Sequence, residues 1–99
     1  MKIHIIGASN GALAIDSSDV FDELAIVNDL YSVANIHFVQ CGVINYIFDN
    51  DYVTFVKKRD EGLCDINDNP TALNIYFVPN LIKIFNGVED NLCGYAYNF

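Results

Sequence analysis

Basic side chains are scarce. Five lysines and arginines stand against thirteen aspartates and glutamates in 99 residues, a formal net charge of -8. That sign repels phosphate backbones and anionic bilayers, so neither nucleic acid nor a membrane surface is expected as a partner. The single basic cluster, Lys57-Lys58-Arg59, runs straight into Asp60-Glu61 and reads as a solvated helix end or loop. Long apolar runs are also missing: none reaches the ~18 residues of a membrane span, and 3–6 is too short for a signal-peptide core. Cys41, Cys64 and Cys93 are odd in number and match no Cys-x-x-Cys or Cys/His zinc spacing. One disulfide with a free thiol, or three buried thiols, both fit.

What is abundant is apolar residues, at 53% against 18% charged. Such a chain forms one domain with a small core, because at this length only about two thirds of the unfolded surface is buried on folding. The most apolar stretch, 72–78, is β-branched or aromatic almost throughout and ends at Pro79; it reads as the middle strand of a sheet covered on both faces. Residues 2–6 read as a first strand. Val20, Leu24, Val27, Tyr31 and Ala34 then recur at helical spacing, with Phe21 and Leu30 widening the stripe and Asn35 as a stop. Ser17 or Ser18 is the expected cap, with Asp19 and Asp22 at the positive end of the dipole.

A second strand is expected at 36–41, carried on past Gly42 to 43–48, which makes a strand-helix-strand unit with parallel strands. For 52–58 the acidic start and basic end favour a helical turn; 60–70 is a loop, 81–85 a short apolar piece, 86–91 a polar loop, and 92–99 a terminal edge strand. The fold class is α/β (α+β), a mixed, mostly parallel twisted sheet with one long backing helix.

Three features suggest chemistry, and each has an ordinary explanation. Gly7-Ala8-Ser9-Asn10-Gly11 looks like a phosphate cradle, but Leu13 stands where a further glycine would fall and Asp16 to Asp19 interrupts any helix begun at the loop. A dinucleotide-binding βαβ unit is thus the weakest functional reading. Asp65, Asn67 and Asn69 occupy the first, third and fifth places of a calcium loop, yet Pro70 and Tyr76 replace its glycine and glutamate, so turn chemistry explains 65–69 better than an irregular calcium site. His4 and His37 lie in strands and read as packed or half-exposed side chains.

The order of pieces at 2–6, 27–31, 34–38, 74–78 and Gly94-Tyr95-Ala96 resembles the start of a metzincin catalytic domain, most closely the pappalysin and cytophagalysin family of zinc endopeptidases. The resemblance implies that 1–99 is a single incomplete domain, the N-terminal scaffold and cleft edge of a secreted, extracellular peptidase. It implies an extended peptide substrate, held in the full-length parent by an edge strand opening at Gly94, Tyr95 and Ala96. The His-Glu-x-x-His motif of that family is absent, so no catalytic or metal-binding residue is assigned and zinc is expected only in a longer parent. One long helix leaves one sheet face to be covered by 81–85 and its neighbours, by the remainder of such a domain, or by self-association. The alternative is a stand-alone interaction domain that completes its sheet with a partner. The purified chain is predicted to hold no stoichiometric zinc and to leave casein intact; metal analysis together with a caseinolysis assay checks this, and tight zinc with turnover would refute it.

Overall fold

The computed structural model describes residues 1–96. Its first strand, β1 (Lys2–Gly7), is the centre of a three-stranded parallel sheet, flanked by β2 (Asn45–Phe48) on one side and β4 (Asn74–Phe77) on the other. Alternation sends Ile3 and Ile5 to one face and His4 and Ile6 to the other, and all four are buried. The stretch expected in the middle is therefore an edge strand, half-buried along its length. Both of its faces are covered, Phe77 against the Ile3 and Ile5 cluster and Tyr76 against the Ile6 cluster. An apolar run reports covered faces; it does not report how many strands lie alongside.

Between β1 and β2 runs α1 (Ser17–Tyr31), extended by a 3-10 turn (Ser32–Ala34) and stopped by Asn35 in the left-handed conformation. The expected helix and stop are present, but only the first part of the stripe, Val20, Leu24 and Val27, faces the core. The cap is not the expected serine: Asp16 occupies the position, without a side-chain capping bond. Val20 is buried and Leu24 and Val27 are half-covered, whereas Leu30 and Tyr31 are exposed. Fifteen residues make a helix about 22 Å long, while the four-residue flanking strands span only about 13 Å. The helix overhangs its sheet.

Residues 36–41 form no strand. Asn28, on α1, takes the place of a neighbouring strand: its Nδ2 donates to the Phe38 carbonyl (2.9 Å) and its Oδ1 accepts from the Phe38 N–H (2.7 Å). The Cys41 N–H donates to the Met1 carbonyl, and the terminal amine donates to Val39. With these groups satisfied, pairing with β1 begins only beyond Gly42, which turns the chain at φ +71°.

The second face of the sheet is covered from within the chain, the internal one of the expected covers, with Leu81 of the 81–85 piece taking part. β3 (Thr54–Val56) replaces the expected helical turn, and α2 (Gly62–Asn67) arises inside the expected loop. Phe55, Leu63 and Cys64 from these elements pack on Ile6, together with Leu81 and Tyr95. β3 belongs to a second sheet in which it lies parallel to β5 (Asn80–Phe85), and β5 turns antiparallel into β6 (Val88–Asn91). Asn86 and Gly87 both have positive φ, the backbone of a two-residue hairpin, so the expected polar loop is a strand. No strand forms over 92–96, and the rest of the expected terminal strand, 97–99, lies outside the described residues. No helix among the described residues is long and apolar enough to cross a membrane.

Ile5 is fully buried at the centre of this arrangement. Ile5→Ala is predicted to lower unfolding free energy by about 2–5 kcal/mol, measured by urea denaturation; a loss below about 1 kcal/mol would contradict β1 as the core strand.

Candidate functional site

Two grooves meet at one strand edge. Among the described residues β4 pairs with β1 alone, so its other side bounds the sheet. On the α2 side of that edge lies an open groove of about 890 Å³, walled by 72–80 and by 91–96, with Phe55, Cys64, Asp68 and Leu81 at its base. On the α1 side lies a smaller groove of about 110 Å³, between Ile75 and Phe77 of the strand and Leu24 and Val27 of the helix. Asp68 and Glu23 are the lining residues with charged side chains, one in each groove, and both are acidic.

The segment 91–96 stands opposite β4 because Tyr95 anchors it. Its hydroxyl donates to Glu61 Oε1 (3.1 Å), the Lys57 ammonium lies 5.0 Å from its ring centre, and the ring packs in the Ile6 cluster. Of the three residues assigned to a substrate strand, then, Tyr95 is turned inward as a brace, Gly94 and Ala96 are exposed, and none is in a strand. All three nevertheless line the large groove.

Across the same edge runs a polar row that the apolar strands conceal. His4 is fully buried, stacked on Tyr76 with ring centres 4.2 Å apart. Its Nε2 bonds to Asn74 Oδ1 (3.0 Å), and its Nδ1 accepts from Asn45 Nδ2 (3.0 Å). Tyr76 donates to Asp68 (2.5 Å) at the end of α2. Burial holds His4 below its ordinary value of 6.5, against the pull of the Asn74 bond. The reading of His4 as a packed side chain holds, but its partners were missed. The available signal was three polar interruptions, His4, Asn45 and Asn74, in otherwise apolar strands. His37 is exposed in the segment after α1 and takes no part.

The other candidates are spent on local structure. In the 7–11 loop the N–H groups of Ala8 and Gly11 bond to main-chain carbonyls, Ser9 to Asn50 Oδ1 and Ala12 to Asn10 Oδ1, so no cradle of free donors faces outward. In 65–69, α2 absorbs Asp65 and Asn67; Asn67 donates to the Leu63 carbonyl, and Asn69 Oδ1 accepts from Thr71. No group of three metal-ligating side chains converges among the described residues. The three cysteines are free and unlike: Cys93 is exposed, Cys41 half-buried and Cys64 buried, which matches neither expected arrangement.

Burial, reinforced by the charges of Asp68, Asp65 and Glu61, pushes the Cys64 thiol up to about 12. Thiol labelling near neutral pH is predicted to modify Cys93 first and Cys64 last, with Cys64 reacting only at the rate of groove opening; mass spectrometry of quenched samples checks the order, and early labelling of Cys64 would contradict its burial. Comparison with protein-family models, curated proteins and solved structures found no match to this chain.

Proposed function

We propose that the chain is a small interaction domain whose β4 edge accepts an extended polypeptide strand. The observation that carries this is the pair of grooves flanking one sheet edge. Side chains of an added strand alternate between faces, so one set would enter the small apolar groove beside Ile75 and Phe77 and the other the large groove over Phe55 and Leu81. The β6 edge is less suited. β6 is exposed throughout and carries Glu89 and Asp90, charges of the kind that protect a strand from pairing.

The favoured occupant is a partner peptide with apolar residues and lysine or arginine. Both charged lining side chains are acidic, and the chain as a whole is at -8, so two copies repel whereas a cationic strand is drawn in. A second reading keeps the zinc-endopeptidase resemblance: the chain would be the non-catalytic N-terminal portion of a secreted enzyme, with the peptide as substrate. The parallel order β2-β1-β4 with one long helix between β1 and β2 supports it. Against it, the second face is already covered, which removes the physical reason for expecting a missing half.

Titration with lysine-bearing peptides of alternating apolar pattern is predicted to protect the amides of 74–77 from hydrogen exchange, with affinity falling as salt rises. N-methylation of the peptide at alternate positions, which deletes ladder donors, should weaken binding at least about tenfold for two lost bonds. Binding that ignores N-methylation, or protection at β6 in place of β4, would overturn the proposal.

A further inference from the structure

The hydrogen bonds around His4 run in one direction, and the main chain sets that direction at both ends. At one end the Leu63 carbonyl can only accept, so Asn67 presents Nδ2 to it (2.8 Å) and turns Oδ1 toward Asn45. Asn45 therefore donates twice, to Asn67 Oδ1 (3.4 Å) and to His4 Nδ1 (3.0 Å). At the other end the Asn69 N–H can only donate, and it does so to Asn74 Oδ1 (2.8 Å). Asn74 Nδ2 is taken by the carbonyls of Asn69 and Ala72. What Asn74 offers His4 is thus an oxygen, and what Asn45 offers is an N–H. The imidazole is fixed as the tautomer with its proton on Nε2 and a lone pair on Nδ1.

We propose that His4 is an acid-sensitive latch on the β4 edge: a proton arriving at Nδ1 meets the Asn45 amide hydrogens and breaks the chain of bonds that ties β2, β1, β4 and α2 together. No single rotation rescues it. Turning the Asn45 amide would set its oxygen against Asn67 Oδ1, and turning Asn67 in response would set two oxygens against each other at Leu63. The charged and titratable groups facing the ring are Lys2 from β1, Tyr76 from β4 and Asp68 from the end of α2; β2 presents Asn45. Lys2 opposes protonation and Asp68 favours it, while burial outweighs both and keeps the folded ring neutral.

The sign follows from the lowered folded-state value. The bonds are intact above 6.5, and their contribution is lost as pH falls from 6.5 toward the lower value in the folded protein. Over that interval the opening equilibrium rises by up to about tenfold per pH unit for one proton taken up. Residues 72–74 and β4 wall the large groove, so acid would release a bound strand; this consequence rests on the strand-accepting role proposed above.

The test combines imidazole nitrogen NMR with amide hydrogen exchange from about pH 8 to about pH 5, on the free chain and on the chain saturated with a lysine-bearing alternating peptide. Expected is Nε2–H imidazole at the upper end, then accelerating opening of 69–77 as Nδ1 gains its proton, with the side-chain amide resonances of Asn45 and Asn74 moving in step. His4→Gln should lose that dependence and His37→Ala should keep it. If His4→Gln fails to fold, the resonances of the unaltered chain decide alone. A protonated His4 with unmoved Asn45 and Asn74 amides, or an unchanged pH dependence in His4→Gln, would overturn the latch. Opening of 69–77 by acid in a chain that binds no peptide at any pH would uphold the latch and remove the strand-accepting role. Binding that is indifferent to acid would do the reverse.

Discussion

Burial of one strand on both faces holds this protein together. Ile3 and Ile5 on one side and Ile6 on the other are inaccessible to solvent, and each such side chain contributes roughly 1.5–3 kcal/mol. Three of them supply an amount comparable with the whole stability of a domain, about 5–15 kcal/mol. Its own sheet and the covers of both faces are organised around this strand. α1 covers the face of Ile3 and Ile5, while α2 and β3 cover the face of Ile6. β2 and β4 take the two ladders.

The same arrangement explains where the binding edge falls. A central strand that pairs on both sides leaves two edges in its sheet, and the β4 edge is bordered by grooves on both faces. The groove on the α2 side stays open because Tyr95, braced by Glu61 and Lys57, holds the 91–96 segment opposite β4 without pairing it. The groove on the α1 side stays open because one helix cannot span three strands. The overhanging end of that helix leaves Leu30 and Val33 exposed, so the apolar surplus seen in the composition lies partly outside the core.

Much of this was legible in the sequence where the signal was local and periodic. The α1 stripe, its stop at Asn35, the first strand and the parallel relation of β1 to a strand after the helix all follow from spacing. What was not legible depended on partners distant in the chain. Residues 36–41 have the composition of a strand, but Asn28 takes both main-chain groups of Phe38 at their middle. Residues 72–78 look central because both faces are covered, yet rank within a sheet is a matter of neighbours, and β1 has the fuller set. The hairpin at Asn86-Gly87 was available as a turn signal, and weighing the polarity of 86–91 above it gave a loop. The amide row around His4 was hidden for a different reason: each member is an isolated polar residue, and only the register brings Asn45 and Tyr76 opposite His4.

Native-state hydrogen exchange across β1 and β4 tests the central role of β1 most directly. The amides of Ile3, Ile5 and Ile6 should exchange only through global unfolding, with the same free energy and denaturant dependence as the whole domain, while those of Ile75 and Phe77 should exchange through smaller local openings. Equal protection of the two strands, or earlier exchange in β1 than in β4, would contradict it.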